Sequence, residues 1–180
     1  MIKKLIFTLI ILTCTTFIHA AGQSGTLEVG KKAPTWSLPD ANGKEFTMDS
    51  WQGKVLQINY VDPDESNIND AFNDAIYKAI HVDKRIDKEI FTGLGIVDIK
   101  STWKPKSLIR VMAANRTKKF NTTILFDYDA SLRKLWGLPA DSYSVVIFDK
   151  NKVCRAVYKG KIPESENEKI IQLIIALTKE

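Results

Sequence analysis

The sequence predicts an α/β fold with a central mixed sheet, helices on both faces of that sheet and an N-terminal β-hairpin. Strand-like and helix-like segments alternate along most of the chain, which favours parallel strand pairing. The chain then closes with a hairpin and a helix, which adds antiparallel strands. With 44% hydrophobic and 26% charged residues among 180, the composition is typical of one globular domain with its own core.

The first elements are a hairpin, a buried strand and a helix. Two prolines and the turn "NGK" flank short apolar patches and predict strands near Trp36–Leu38 and Glu45–Thr47. Gly53–Val61 is mostly apolar on both faces, which is typical of a central strand. Apolar residues then recur at helical spacing over Ile68–Ile80, which predicts an amphipathic helix.

The later elements continue the alternation. Gly93–Ile99 is a second buried strand, and a helix with a basic outer face follows Pro105. The remaining segments are a strand, a short helix, a hairpin and a C-terminal helix: "TTILFDYD", "ASLRKLWGLP", "SVVIFDKNKVCRAVYKG" and "PESENEKIIQLIIALTKE".

The N-terminus has the pattern of a secretory signal peptide. "MIKK" is basic, "LIFTLIILTCTTFI" is uncharged and apolar, and "HAAGQSG" supplies small residues at the exit. We therefore predict a signal peptide over residues 1–20, a single domain over residues 21–180 and a periplasmic location, with an uncleaved membrane anchor as the alternative. Without Lys3 and Lys4 the formal net charge falls from +5 to +3, which does not imply a nucleic-acid partner.

The cysteine and histidine content excludes several kinds of site. Cys14 lies in the predicted signal peptide, so Cys154 stands alone and forms no internal disulfide or CxxC pair. We predict that Cys154 is a small core residue of a strand, sharing one face with Ala156 and Tyr158; a reactive lone thiol is the alternative. A zinc site of Cys and His is not available, because the domain has a single histidine, His81. We predict no cofactor.

The segment "DPDES" places three carboxylates within four residues, and a helix start explains them best. Asp62 would be the N-cap, Pro63 would occupy the first helical position, and Glu65 would reach back to the N–H of Asp62 in a capping box. Asp64 would add negative charge to the first turn, where the helix dipole favours it.

Two chemical alternatives remain for this segment. Asp62, Asp64, Ser66 and Asp70 occupy positions 1, 3, 5 and 9 of a calcium loop, but Asn67 stands where such a loop requires glycine. A pair of catalytic carboxylates is the other alternative. One basic concentration is also present, and it is either a solvated face or a contact for an anionic surface or acidic partner: Lys100, Lys104, Lys106, Arg110, Arg116, Lys118 and Lys119.

Several segments resemble a known family. "VGKKAPTWSLPDANGKEFTMDSWQGKVLQINYV" is similar to the opening of the peroxiredoxin-type and TlpA-type variants of the thioredoxin fold, and "VVIFDKNKVCRAVYKG" resembles their closing hairpin. More narrowly, "GKVLQINYVDPDESNINDAFNDAI" and "NTTILFDYDASLRKLWGLPADSYSVVIFDKNKV" resemble the YtfJ family. The resemblance implies an exported bacterial protein of thioredoxin-like fold whose role is not established.

The chain departs from that fold's redox enzymes at both hallmarks of the active site. The resemblance places the first and second cysteines of a CxxC pair near Glu65 and Ile68, and a proline that is usually cis near Tyr143, so the active-site-equivalent residues are Asp62, Asp64, Glu65 and Tyr143. We therefore expect no catalytic residues and a redox-inactive protein that binds a protein or small-molecule partner. The alternatives are a metal- or carboxylate-dependent activity at Asp62, Asp64 and Glu65, and a residual thiol activity at Cys154.

Overall fold

The structure is a computed structural model, and it describes residues 26–180. The predicted signal peptide over residues 1–20 lies outside the described residues, so that prediction stays untested. Among residues 26–180, no helix combines the length and the apolar character needed to cross a membrane.

A five-stranded mixed sheet forms the centre of the domain, as the sequence predicts. Its strand order is β5-β4-β3-β6-β7; β4 and β5 run parallel to β3, whereas β6 and β7 are antiparallel. A separate antiparallel hairpin, β1 with β2, lies at the N-terminal end of the described chain. The strands are β1 (Ser37–Pro39), β2 (Glu45–Thr47), β3 (Val55–Val61), β4 (Phe91–Asp98), β5 (Thr123–Asp127), β6 (Tyr143–Phe148) and β7 (Cys154–Lys159).

Helices cover both faces of this sheet, because residues of each strand alternate between two apolar layers. On one face, Val55 and Val145 pack with helices α1 and α4, while Phe126 packs with α2. On the other face, Leu56 and Ile96 pack with α3 and the β1–β2 hairpin. The helices are α1 (Asp70–His81), α2 (Lys106–Phe120), α3 (Ser131–Trp136) and α4 (Asn167–Lys179).

The predicted start of the first helix is wrong. Helix α1 begins at Asp70, eight residues after the predicted N-cap. The N–H of Asp62 donates to the carbonyl of Ser142 at 3.0 Å, so it is not available to Glu65 for a capping box. Residues 62–69 instead form consecutive turns, in which the N–H of Glu65 donates to the carbonyl of Asp62 and the N–H of Ile68 donates to that of Glu65.

Asn69 explains why these turns do not become helix. Its side chain is 1% exposed; it donates to the carbonyl of Gly160 at 3.0 Å and accepts from the N–H of Ile162 at 2.8 Å. These bonds tie the chain before α1 to the segment between β7 and α4. Because they join residues distant in sequence, the local pattern of carboxylates and apolar residues could not predict them.

The predicted orientation of Cys154 is also wrong in part. Its side chain packs in the layer that contains Phe148 and α3, whereas Ala156 and Tyr158 pack in the opposite layer. The cause is a β-bulge: Ile147 pairs with Ala156, and the next residue of β6, Phe148, pairs with Cys154. The extra residue on β7 reverses the alternation of faces at this point. The other part of the prediction, a buried core cysteine, agrees with the structure.

Candidate functional site

Three buried aspartates form a row at the carboxyl edge of the parallel strands. Asp98 and Asp127 pair in register at the ends of β4 and β5, and Asp62 directly follows Val61 of β3, which pairs with Val97. The exposed fractions of Asp62, Asp98 and Asp127 are 3%, 1% and 0%. Ligand sites of open α/β sheets lie at this edge, so the row is the first place to examine for a site.

Both carboxylate oxygens of Asp127 accept hydrogen bonds from other groups of the protein. One carboxylate oxygen accepts from the N–H and the hydroxyl of Ser131, at 2.8 and 3.0 Å. The other accepts from the N–H groups of Leu132 and Arg133 and from the hydroxyl of Tyr60, the last at 2.9 Å. Asp127 therefore caps α3 and joins that helix to the central strand.

Asp98 is paired with the guanidinium of Arg133, and one N–O distance is 2.9 Å. Burial raises the pKa of the Asp98 carboxyl, and the charge of Arg133 opposes that increase. Burial also raises the pKa of Tyr60, with the negative charge of Asp127 as a further cause. Tyr60 therefore remains protonated and donates to Asp127.

The predicted carboxylates Asp62 and Asp64 stabilise the turns before α1. Asp62 accepts from the N–H of Asp64 at 2.7 Å; burial raises its pKa, and a hydrogen bond with the side chain of Ser101 opposes the increase. Asp64 forms an ion pair with Lys104 and accepts from the hydroxyl of Thr102 at 2.8 Å. Asp62 is thus held by a donor of its own segment, and Asp64 by donors from the chain between β4 and α2.

The structure does not bring all predicted site residues together. Glu65 is half-buried in the turns. Tyr143 is 2% exposed and lies in the layer that contains α1, where its hydroxyl accepts from Asn73 at 3.0 Å and burial raises its pKa to about 12. Asp62 follows β3 on the opposite face of the sheet from Val61, which packs in that α1 layer. All peptide bonds between residues 26 and 180 are trans, including the one before Tyr143.

The calcium-loop oxygens are largely engaged by cations and backbone groups of the protein. Arg116 donates to the carboxylate of Asp70, to the carbonyl of Ser66 and to the side chain of Asn67. Within residues 26–180, no group of three or more His, Cys, Asp or Glu side chains is arranged to hold a metal ion. The arrangement of this segment therefore favours a structural role over a cation loop.

The acidic residues before and within α1 form ion pairs with the basic residues before and within α2, although the sequence presents the two groups as separate features. Lys104 pairs with Asp64, Arg116 with Asp70, and Lys119 with Asp74. Three of the seven predicted basic residues are thus internal partners of carboxylates. Sequence reasoning also missed Asp98, Asp127 and Arg133, although one signal was present: aspartate directly follows an apolar residue at the end of an apolar run in "VDP", "VDI" and "FDY".

Cys154 lies in a strand of the sheet and not at a helix terminus. Its side chain is 0% exposed, and burial raises the pKa of the thiol to about 11, opposed by a weak contact with the carbonyl of Ala156. A thiolate requires a cationic partner or a helix N-terminus to become reactive, and burial acts in the opposite direction.

The fold and the site define the class: a protein of thioredoxin-like fold in which carboxylates occupy the connection between the central strand and the first helix. A candidate thiol:disulfide interchange protein DsbE from Chlorobium tepidum has a similar structure, with a TM-score of 0.62 and 18% identity over 85% of this chain and 99% of that one. The reduced 2-Cys peroxiredoxin of Plasmodium vivax has a TM-score of 0.59 and 18% identity, covering 84% and 96% of the two chains.

The sequence comparisons agree with this class and define the family. Chloroplastic peroxiredoxin Q of Suaeda salsa is 25% identical over 159 residues, which cover 82% of this chain and 68% of that protein. The model of the family described as "Bacterial protein of unknown function (YtfJ_HI0045)" matches residues 26–177. The chain belongs to this family, as the resemblance of its motifs implies.

Proposed function

We propose that this protein is an exported, redox-inactive member of the thioredoxin-like fold that acts by binding a partner or ligand. The observation that carries the proposal is the state of Cys154, the single cysteine of the predicted mature chain: a fully buried thiol with a pKa raised to about 11. With that pKa, about one thiol in a thousand would be ionised at pH 8. Thiol–disulfide exchange needs an accessible thiolate, and this residue offers neither accessibility nor ionisation.

The segment equivalent to the redox site supports the same proposal. Glu65 and Ile68 stand at the positions that the family resemblance assigns to the two cysteines. The neighbouring carboxylates of Asp62 and Asp64 are engaged by protein donors, which opposes their use as an acid–base pair. The turns before α1 thus occupy the place of the redox site in this fold, but they carry no cysteine for thiol–disulfide exchange.

An exposed aromatic side chain beside this segment supports a binding role. Trp103 is 86% exposed and lies between Thr102 and Lys104, the two residues that contact Asp64. Tryptophan is among the residues most enriched at the centres of protein interfaces. We therefore propose Trp103 as a contact residue for the partner.

Insulin reduction and peroxide consumption test the redox part of the proposal. We expect the mature protein, residues 21–180, to show no turnover above buffer in either assay, with thioredoxin and a peroxiredoxin as positive controls. The Cys154→Ser variant should give the same result. Turnover by the wild-type protein that disappears in Cys154→Ser would refute the proposal.

Cell fractionation tests the export part. We expect the full-length chain, expressed in a Gram-negative bacterium, to reach the periplasmic fraction with a mass that corresponds to a chain beginning at Ala21. Retention of the uncut chain in the cytoplasm or in the membrane fraction would overturn the proposed export and signal-peptide cleavage. A variant with Lys3 and Lys4 both replaced by Glu is the matched control, because reversing the charge of the basic region should block export.

A further inference from the structure

A cavity of about 340 Å3 lies between α1 and α2, above β3 and β4. Long side chains bridge the two helices: Arg116 pairs with Asp70, Lys119 pairs with Asp74, and the rings of Tyr77 and Phe120 meet edge to face at 6.4 Å. The space beneath this bridge is in the size range of small-molecule sites. It lies on the face of the sheet opposite to α3.

Two glycines of β4 create the depth of the cavity. Gly93 and Gly95 pair with Gln57 and Asn59 of β3, so all four residues form its floor. Neither glycine has a positive φ, and a Cβ placed at Gly93 would meet the ring of Phe91 only at an ordinary distance of 3.8 Å. The backbone therefore does not require glycine at position 93. Glycine weakens a strand interior, and it often marks a place where a ligand approaches the backbone closely.

The walls of the cavity are mainly apolar. Helix α1 contributes Ile76 and Ile80, and α2 contributes Ile109 and Met112. A cavity of about 150 Å3 binds benzene when its lining is apolar, so one of this size has room for a molecule of about two rings.

A directed chain of amide hydrogen bonds runs along the polar side of the cavity. The side-chain N–H2 of Gln57 donates to Asn59 at 3.1 Å, that of Asn59 donates to Asn73 at 3.1 Å, and that of Asn73 donates to the hydroxyl of Tyr143 at 3.0 Å. Each amide N–H2 group in this series donates to the next residue. The carbonyl oxygen of the first amide, that of Gln57, therefore receives no hydrogen bond from the series. Gln57 is 2% exposed, and its Oε1 atom has no hydrogen-bond partner in the described part of the chain.

The charges around the cavity favour a neutral ligand. The guanidinium of Arg116, which reaches the lining, already contacts Asp70, Asn67 and a backbone carbonyl. The other ionisable side chains of the lining besides Tyr77 and Tyr143 are His81 and Lys88: the imidazole lies tilted against the ring of Tyr77 with 4.4 Å between ring centroids, and Lys88 is largely exposed. No carboxylate belongs to the lining among residues 26–180. A charged ligand would lose its hydration without gaining an unpaired counter-charge.

We propose that this cavity binds a neutral, mostly apolar molecule of about two rings that carries one hydrogen-bond donor for Oε1 of Gln57. The inference rests on the proposed binding function and adds a ligand site whose lining does not include Trp103. Because Oε1 is almost inaccessible in the free protein, a rotation of the Gln57 side chain brings it to the donor, and the apolar part of the ligand fills the space above Gly93 and Gly95. The redox assays report only on thiol chemistry, so a failure of ligand binding is distinguishable from a failure of the redox-inactive assignment.

Titration with 1-naphthylamine tests the site, because this probe is neutral at pH 7, has two rings, donates hydrogen bonds and changes its fluorescence in apolar surroundings. We expect saturable binding to the mature protein. Gly93→Val should weaken binding at least about tenfold, because its side chain enters the cavity, while the melting temperature stays equal or rises. Thr123→Val, which adds the same residue type to β5 outside the lining, should bind the probe normally.

These variants also define the results that would overturn the proposal. The cavity assignment fails if the wild-type protein shows no saturable binding, or if a folded Gly93→Val variant binds as well as wild type. Should Gly93→Val not fold, Gly93→Ala takes its place, because its Cβ makes only ordinary contacts.

A second probe tests the role of Gln57. The analogue 1-methylnaphthalene has a similar shape but no donor, and its affinity is measured by displacement of 1-naphthylamine. We expect the preference for the amine over the methyl analogue to fall by about tenfold in Gln57→Met. An unchanged preference in this variant would refute the assignment of Gln57 as the acceptor.

Discussion

Replacing Asp127 by alanine should destabilise the domain strongly, and the structure allows the size of the effect to be worked out. The carboxylate is 0% exposed and accepts three backbone N–H groups of α3, the hydroxyl of Ser131 and the hydroxyl of Tyr60. Losing a helix cap costs about 1 kcal/mol, and leaving a buried hydroxyl without its charged partner costs about 2 kcal/mol. The sum, about 3 kcal/mol, corresponds to a decrease of roughly 6–12 °C in Tm for a domain of this size.

Thermal and urea denaturation of the mature protein, followed by circular dichroism, measure this loss. Asp129→Ala is the matched control, because Asp129 is two residues away and exposed, and it should leave Tm within about 1 °C of wild type. A double-mutant cycle isolates the buried bond: Tyr60→Phe should cost about 1.5 kcal/mol alone, but in the Asp127→Ala background it should restore stability, because it removes the hydroxyl that has lost its partner. Equal costs of Tyr60→Phe in the two backgrounds would refute the reasoning.

Three further predictions concern the pKa of Asp62, the bridge between α1 and α2, and the buried thiol. Burial raises the pKa of Asp62 in the folded chain, so the folded state binds more protons than the unfolded state and this group's contribution to stability decreases as the pH rises above about 4. Asp62→Asn keeps the acceptor for the N–H of Asp64, so its Tm should exceed that of wild type at pH 7 and approach it near pH 4; a lower Tm at pH 7 contradicts this. For the bridge, a double-mutant cycle of Asp70→Asn and Arg116→Gln should give a coupling free energy of about 0.5–1 kcal/mol that decreases in high salt, whereas a coupling near zero at low salt would show that the pair contributes nothing. Finally, Cys154 should react with Ellman's reagent at pH 8 only when urea unfolds the chain, and complete reaction within seconds in native buffer would contradict its burial.

The order of elements could be predicted from the sequence because each one has a strong local pattern. The apolar run of β3, the helical spacing of α1 and the "DKNK" turn between β6 and β7 each determine one element through neighbouring residues. The start of α1 could not be predicted in this way, since Asn69 holds the preceding turns through the distant Gly160 and Ile162. The bulge that turns Cys154 to the other face is equally a product of strand pairing.

The candidate sites were harder to predict than the elements, because they are formed by contacts between residues that are distant in the sequence. Asp98 and Asp127 become neighbours only through the register of β4 and β5, and Gln57 lies beside Gly93 only through that of β3 and β4. The individual signals were visible: aspartates that end apolar runs, amides within a central strand, and alternate glycines in the next strand. These signals indicate a site only when the pairing of the strands is known, because each signal alone is common in folded domains.

The central position of β3 has a consequence for how the chain folds. One edge of β3 pairs with β4, but the other pairs with β6, and partners such as Val61 and Tyr143 lie about 80 residues apart in sequence. The parallel half of the sheet can assemble as the chain is synthesised, yet β3 keeps an open, apolar edge until β6 arrives. Closing that edge requires a large loop to be ordered first, so we expect slow folding and a need for protection of the newly made chain against aggregation.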